Sequence, residues 1–339
     1  MFTREEASSL RQQLPPMNFG QTTVRFDLLT RYRTHYRLFF PCHPSPTNTC
    51  PSEEAHAGTT EHQSVDHHIG LLHYADYDLV CQYFVSSQTQ PQGTWFLLHG
   101  YFDHTGLYGP LIEHGLRSGF GVVIFDLPGH GLSTGSQASI NSFREYLESL
   151  RICFSAAAGQ LAQPWSLIGQ STGAAIILEG LLDQPQGLPE KDILNQLVLL
   201  CPLVYPAQWC WSKLGYSLLR HFVPSVPRRF SNNSHDKTFL RFLRQVDSLQ
   251  SQQLPVSWIT AMIDYQRRFD MAQRNNRPIH IIQGTGDTTV DWKRNIRLIQ
   301  DKFPATSTIL IPNAHHHLVN EAGPYRQQVF TEINRILGC

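Results

Sequence analysis

Trp165-Ser166-Leu167-Ile168-Gly169-Gln170-Ser171-Thr172-Gly173-Ala174 decides the fold. A short apolar run leads into Gly-x-Ser-x-Gly, and Ala175, Ile176, Ile177 and Leu178 follow at once. The pattern predicts a strand, a sharp turn at Ser171 and a helix that starts directly after it. The flanking glycines leave room for the strained backbone such a turn requires. The turn lifts the hydroxyl above the sheet edge. The helix behind it points its free N–H groups and positive dipole end at any oxyanion forming there.

Outward from this stretch, apolar runs alternate with helical periodicity. Trp95–Leu98 and Val122–Phe125 read as strands, with a helix between them from about Leu107 to Arg117. Ser142 and Glu145 stand in capping-box spacing and open a helix to about Ala158. Gln196–Leu200, Ile279–Ile282 and Thr308–Ile311 continue the strands, and an amphipathic helix through Tyr325, Val329, Ile333 and Leu337 ends the chain. Ile69–His73 and Leu79–Phe84 are two further strands joined by a turn. Continuous apolar strands separated by helices indicate an α/β fold: a mostly parallel central sheet covered on both faces. The rhythm breaks once, late, over about seventy aromatic and basic residues of helical periodicity. The expected division is therefore an N-terminal helical segment with a flexible linker (1–68), a first core part (69–202), a helical cap (203–275) and a second core part (276–339).

Within the first segment, Thr3 and Glu6 have capping-box spacing for a helix to about Leu14. Arg25, Arg31, Arg33 and Arg37 interleave with Phe26, Leu28, Tyr32, Tyr36, Phe39 and Phe40. That pattern fits an amphipathic surface helix or, alternatively, a basic membrane-facing one. From Pro41 to His68 the composition turns polar, as in a linker. Its Cys42, His43, Cys50, His56, His62, His67 and His68 match no compact zinc spacing, and no metal site is expected.

The chain of 339 residues carries 27 Lys+Arg against 27 Asp+Glu, which gives no electrostatic case for nucleic acid. Seven scattered cysteines, an odd number, do not form a disulfide framework and favour a reducing compartment. Met1-Phe2-Thr3-Arg4-Glu5-Glu6 lacks the basic start and apolar run of a signal peptide. No apolar run approaches the ~20 residues that span a bilayer. The expectation is a cytoplasmic protein, with peripheral membrane contact through the cap left open. Oligomeric state is not read from the sequence.

Active-site groups in open α/β sheets sit at the carboxyl ends of strands. Three strand ends besides the serine turn carry suitable chemistry: His99-Gly100-Tyr101-Phe102-Asp103-His104, Gly284-Thr285-Gly286-Asp287 and Ala314-His315-His316-His317-Leu318. The order serine, acid, histidine is that of α/β-hydrolases. Three consecutive histidines leave the choice among them open. Asp291 rivals Asp287, although its place at the start of a helix suits a capping role. Asp103 and His104 resemble a pair at the mouth of a pocket, but a surface turn is the preferred reading.

The sequence resembles the serine hydrolases that include monoacylglycerol lipases, bacterial lysophospholipases and serine aminopeptidase S33-like proteins. The likeness rests on Leu98-His99-Gly100, Phe125-Asp126-Leu127-Pro128-Gly129-His130-Gly131-Leu132-Ser133, Gly169-Gln170-Ser171-Thr172-Gly173, Gly284 with Asp287 and Val290, and His316 ahead of Glu321. It covers roughly residues 69–339. The resemblance implies the α/β-hydrolase fold, Ser171 as nucleophile, His316 as base and Asp287 as the acid that orients it. It implies an oxyanion hole from the backbone N–H groups of Thr172 and Tyr101, a packing role for His130, and no cofactor or metal.

In this fold the late insertion caps the serine. Here it carries Tyr205, Trp209, Trp211, Leu214, Tyr216 and Phe222 beside Lys213, Arg220, Arg228 and Arg229. Trp209 and Trp211 are the candidate substrate-binding aromatics, lining an acyl tunnel or meeting a membrane surface. Alternatively they pack the cap onto the core. The implied reaction is hydrolysis of a lipid-like carboxylic ester, a monoacylglycerol or lysophospholipid, through an acyl-enzyme. A soluble carboxylesterase or an aminopeptidase is the alternative, and a catalytically silent binding protein is the third reading. A peptidase would need an acidic site for a free amine, and no acidic cluster in the cap provides one.

Overall fold

The apolar runs become the strands of one eight-stranded sheet. The computed structural model describes residues 1–21, 26–40, 65–183, 187–209 and 222–339. The strands are β1 (Val65–Tyr74), β2 (Tyr77–Ser86), β3 (Thr94–Leu98), β4 (Gly121–Phe125), β5 (Trp165–Gln170), β6 (Leu194–Leu200), β9 (Ile279–Gly284) and β10 (Thr306–Ile311), with β7 (Ser225–Pro227) and β8 (Gln253–Pro255) forming a separate pair. The order across the sheet is β1-β2-β4-β3-β5-β6-β9-β10. β2 runs antiparallel to both its neighbours, and all pairings from β4 to β10 are parallel. Every residue of β3, β4 and β5 is buried. Both faces are covered by helices, which is why these strands read as continuous apolar runs rather than alternating ones.

The helices are α1 (Arg4–Gln12), α2 (Asp27–Tyr36), α3 (Gly109–Arg117), α4 (Phe143–Ala157), α5 (Thr172–Leu182), α6 (Lys237–Gln245), α7 (Val256–Met271), α8 (Trp292–Lys302) and α9 (Gly323–Leu337). Local chemistry fixes their starts. At α1, Thr3 and Glu6 form the reciprocal capping box expected from their spacing. At α4, Ser142 caps the helix by accepting from the Arg144 N–H, but the box is not closed. The Glu145 carboxylate instead accepts from the Tyr77 hydroxyl at 2.9 Å. A tertiary partner has outcompeted the local one.

Three expectations are corrected. First, β1 begins at Val65, inside the stretch read as linker. His67 and His68 are strand residues: His67 is buried, stacks on Phe84 with ring centroids 4.4 Å apart, and bonds Gln82 through Nε2 at 3.0 Å. Histidines that pack by their ring faces look polar in a sequence and hide the strand. Second, residues before 40 are not an appendage. Leu10, Leu29, Tyr32 and Tyr36 share one buried cluster with Phe84, Trp95 and Leu111, so the apolar face of α2 is spent on the core and not offered to a membrane. Third, the insertion holds the antiparallel pair β7/β8 as well as helices. Strands of three residues with prolines in both are too short to show a period of two.

Trp211 and the Cys42-to-His62 part of the Cys/His stretch lie outside the described residues. Among the described residues Cys81, Cys153 and Cys201 are buried free thiols, and no helix is long and apolar enough to cross a membrane.

Candidate active site

β5 delivers Ser171 onto a turn with φ 54° and ψ −105°, a left-handed region that a non-glycine residue enters only under constraint. Two contacts supply the constraint. The Ser171 N–H donates to the Leu200 carbonyl at 2.8 Å. The helix start is also pressed against the sheet: a Cβ on Gly173 would lie 2.2 Å from the Leu98 carbonyl oxygen, and one on Gly169 would lie 2.5 Å from the Gly173 carbonyl carbon. Both obstacles are backbone and cannot swing away. Gly173→Ala is therefore expected to cost about 3 kcal/mol by overpacking, read as a lowered Tm together with lost activity.

The ends of β9 and β10 bring an acid and a histidine together. Asp287 Oδ2 lies 2.7 Å from His316 Nδ1 and accepts from Gln283 Nε2 at 3.1 Å. Oδ1 accepts the N–H groups of Thr289 and Val290 at 2.7 and 3.2 Å. Burial alone would raise this carboxyl, but the His316 imidazole and the converging donors outweigh it and hold it below the usual carboxylate value. Because the carboxylate only accepts, Nδ1 carries the proton and Nε2 keeps a free lone pair. Gln170, one residue before the serine, donates through Nε2 to the His316 carbonyl at 2.8 Å and ties the two strand ends together. Cys201 sits beside the pair, its thiol pushed well up by burial and so kept neutral.

The three consecutive histidines go three ways. Only His316 meets Asp287. The ring of His315 stacks on His235 with centroids 3.8 Å apart, and its N–H donates to Glu321. His317 Nε2 lies 3.1 Å from Asp103 Oδ2. Asp291 caps α8 by accepting from the Arg294 N–H, the role its position suggested. His235, His315 and Glu321 stand close enough to hold a metal ion. Their stacked rings, however, set the in-plane lone pairs side by side instead of converging them on one ion.

Thr172 opens α5, so its N–H belongs to the free donors at a helix N-terminus. Tyr101 lies in the turn after β3, which a dense polar frame holds. Gly100 N–H donates to the Tyr108 hydroxyl at 2.9 Å, and that hydroxyl donates on to Asp103 at 3.3 Å. His99 takes the Leu127 N–H on Nε2 and donates from Nδ1 to the Gly100 carbonyl. Burial pushes it down to about 3 and keeps it neutral. His130 is likewise buried, pushed down to about 4, and bonded through Nδ1 to the Pro128 carbonyl.

Asp103 and His104 are not a surface turn. Both are buried; Asp103 faces His317, and His104 Nε2 lies 3.1 and 3.2 Å from the two oxygens of Asp247. Tyr36 completes this junction by donating its hydroxyl to Asp247 at 2.9 Å. The bonded partners lie more than a hundred residues apart in sequence, so no local signal marks them. Removing one side of such a pair strands a buried charge. His317→Ala is thus expected to cost about 3 kcal/mol in urea melts. The Asp103 carboxyl is held below its ordinary value by His317 against the opposing effect of burial. Its contribution is therefore full above pH ~4 and fades in acid, and the gap between wild type and variant should narrow there.

The cap rests directly on this turn. The Tyr101 ring stacks on Trp258 of α7 with centroids 3.9 Å apart, and its hydroxyl donates to the Ala138 carbonyl at 2.6 Å. The Arg228 guanidinium lies over the ring of Phe102 at 3.9 Å. Trp258 was missed because a tryptophan on an amphipathic helix reads as ordinary core. Trp209 is buried in the main core cluster and donates its indole N–H to Gln266 of α7 at 2.7 Å. It is an internal strut of the cap and offers no face to a membrane. A cavity of about 970 Å³ opens elsewhere, and none of Ser171, Asp287 and His316 lines it. Side-chain chemistry, not cavity size, locates this site.

Residues 89–323 match the family described as serine aminopeptidase, S33. The monoglyceride lipase of Rattus norvegicus is 25% identical over 266 residues, covering 76% of this chain and 85% of its own length. A monoglyceride lipase homolog of monkeypox virus is 24% identical and covers 75% and 92%. Among solved structures, a soluble variant of monoglyceride lipase from Saccharomyces cerevisiae superposes with a TM-score of 0.66 at 17% identity, over 84% of this chain and 97% of its own. The monoacylglycerol lipase of Paleococcus ferrophilus gives 0.61 at 21% identity, over 72% and 93%. A strained serine turn on an eight-stranded α/β sheet, with the family match spanning more than half of the chain, makes this protein a hydrolase of the serine aminopeptidase S33 family with the α/β-hydrolase fold.

Proposed function

We propose that this chain hydrolyses the carboxylic ester of a single-chain lipid, of the monoacylglycerol or lysophospholipid class, through an acyl-enzyme on Ser171. The observation that carries the reading is the 2.7 Å contact of Asp287 with His316 Nδ1, which leaves Nε2 free to act as a base toward the serine turn at the end of β5, to which Gln170 ties the His316 backbone. In the proposed cycle, Nε2 takes the Ser171 proton as Oγ attacks the ester carbonyl. The N–H groups of Thr172 and Tyr101 hold the oxyanion. The imidazolium then gives its proton to the leaving alcohol, and water repeats the sequence to release the acid. Asp287 stays ionised throughout.

Relatives named monoglyceride lipases from a mammal and a virus support a lipid ester over a peptide. The carboxylates near the turn also disfavour an aminopeptidase, since Asp103 and Asp247 are engaged by His317 and His104 and neither is left to bind a free amine. Peripheral contact of the cap with a lipid surface belongs to the same proposal, and Phe222 and Met271, 82% and 85% exposed, are the cap's exposed large apolar side chains among the described residues.

A fluorophosphonate probe should label Ser171, and a panel of esters with growing acyl chains should show rising kcat/KM. Each enclosed methylene is worth ~0.8 kcal/mol, so two carbons give roughly tenfold. A flat profile would point to a short-chain carboxylesterase instead. Faster turnover of aminoacyl amides than of lipid esters would overturn the substrate class.

A further inference from the structure

A cavity of about 970 Å³ is bounded by Gly106 and Leu107 beyond the turn after β3 and by residues in and around α2, α3, α6 and α9. Phe39, Phe40, Phe239, Phe242 and Phe330 line it. Phe39 is 41% exposed, and Phe239, Phe242 and Phe330 are half-buried. So much aromatic surface gathered in one concavity and open to water favours an apolar occupant. His35 and His114 extend the walls: burial pushes both below their ordinary value, and their rings pack on Phe242 and Phe330.

Charge enters through Arg37, Arg117 and Arg326, opposed by Glu113 and Asp236. Both acids are engaged. Glu113 accepts from Arg117 at 2.7 Å, and Asp236 accepts the N–H groups of Thr238 and Phe239 at the start of α6. Arg326 donates one nitrogen to the neutral carbonyl of Glu321. Arg37 is exposed and meets no carboxylate among the described residues. The cavity thus joins an aromatic floor to two guanidinium groups that pair with no carboxylate among the described residues.

We infer that this cavity binds a free long-chain fatty acid as its carboxylate, with the chain along the phenylalanines and the head group on Arg37 and Arg326. A guanidinium fork matches a carboxylate in a bidentate way, and the volume is at the upper end of the ~300–1,000 Å³ that ligand sites occupy. The proposed ester hydrolysis would be the source of such an acid; the binding itself does not rest on that reading. The site touches the frame of the catalytic turn. Phe239 meets His317 edge-on at 4.9 Å, and Tyr36, another lining residue, holds Asp247.

Full-length protein irradiated with palmitate bearing a chain diazirine, then mapped by peptide mass spectrometry, tests the site directly. Crosslinks are expected on peptides holding Phe39, Phe242 or Phe330. They should fall at least tenfold in Arg37→Glu/Arg326→Glu at unchanged Tm, with Arg37→Gln and Arg326→Gln as milder variants should the double one unfold. Hexadecyltrimethylammonium, with the same chain length and the opposite charge, should compete at least tenfold less well than palmitate. Crosslinks confined to peptides around Ser171 would mean that the acid is held only as a product, and would overturn the inference. Equal labelling of the arginine variants, equal competition by the cation, or binding to phosphatidylglycerol vesicles without labelling by free palmitate would also overturn it. Failure of the ester-hydrolase reading shows separately, as absent fluorophosphonate labelling.

Discussion

Ser171→Ala is expected to lower kcat for ester hydrolysis by at least about 10⁴-fold while Tm changes little. The substitution deletes a single oxygen. The turn is held by the Ser171 N–H on Leu200 and by the packing of Gly169 and Gly173, none of which uses the hydroxyl. In the proposed cycle the lost atom is the one that forms the acyl bond, so neither His316 nor the proposed oxyanion donors would compensate through the same route. Turnover of a chromogenic ester, with circular dichroism and a thermal melt on the same samples, separates chemistry from folding. A variant that keeps a tenth of wild-type turnover would remove Ser171 from the role.

Asp287→Asn should be nearly as damaging, by about 10⁴-fold in kcat, again with little loss of fold. An asparagine keeps a carbonyl oxygen for the Thr289 and Val290 N–H groups now bonded to Oδ1, so the loop after β9 stays in place. The other arm becomes an amide donor facing His316 Nδ1. The ring must then accept there, which puts its proton on Nε2 and leaves no base toward the serine. No carboxylate remains to stabilise the imidazolium. Asp291→Asn serves as the control: asparagine caps a helix about as well as aspartate, so the start of α8 is kept and kcat should stay within a few-fold. Equal losses at both positions would transfer the role to Asp291.

Ser171 and Asp287 differ in how far along the chain the residues that define them lie. Gly169-Gln170-Ser171-Thr172-Gly173 announces itself because backbone geometry demands glycine on either side of a residue at positive φ and a helix directly after it. Those requirements are local and therefore written in adjacent letters. The parallel sheet was legible for a similar reason, since strands buried on both faces must be apolar throughout, as β3, β4 and β5 are. The capping box at Thr3 and the capping place of Asp291 also came from neighbours a turn away.

Tertiary structure decided what depends on partners far along the chain. That His316 and not His315 or His317 meets Asp287 follows from which way three adjacent side chains leave the end of β10, and their identical letters carry no such information. Asp103 and His104 look like a polar surface turn until His317, Asp247 and Tyr36 arrive from three other segments to bury them. Trp209 looks like a lid residue until Gln266 takes its N–H inside the cap, whereas Trp258 looks like core until it stacks on Tyr101. A buried polar or aromatic group is stable only when its partner is in place. The sequence by itself marks the serine turn and the strands that raise it, because the residue types each requires stand in adjacent letters. Only the folded chain determines the frame around them, because the contacts that bury it, Asp103 with His317 and Asp247 with His104 and Tyr36, are long-range.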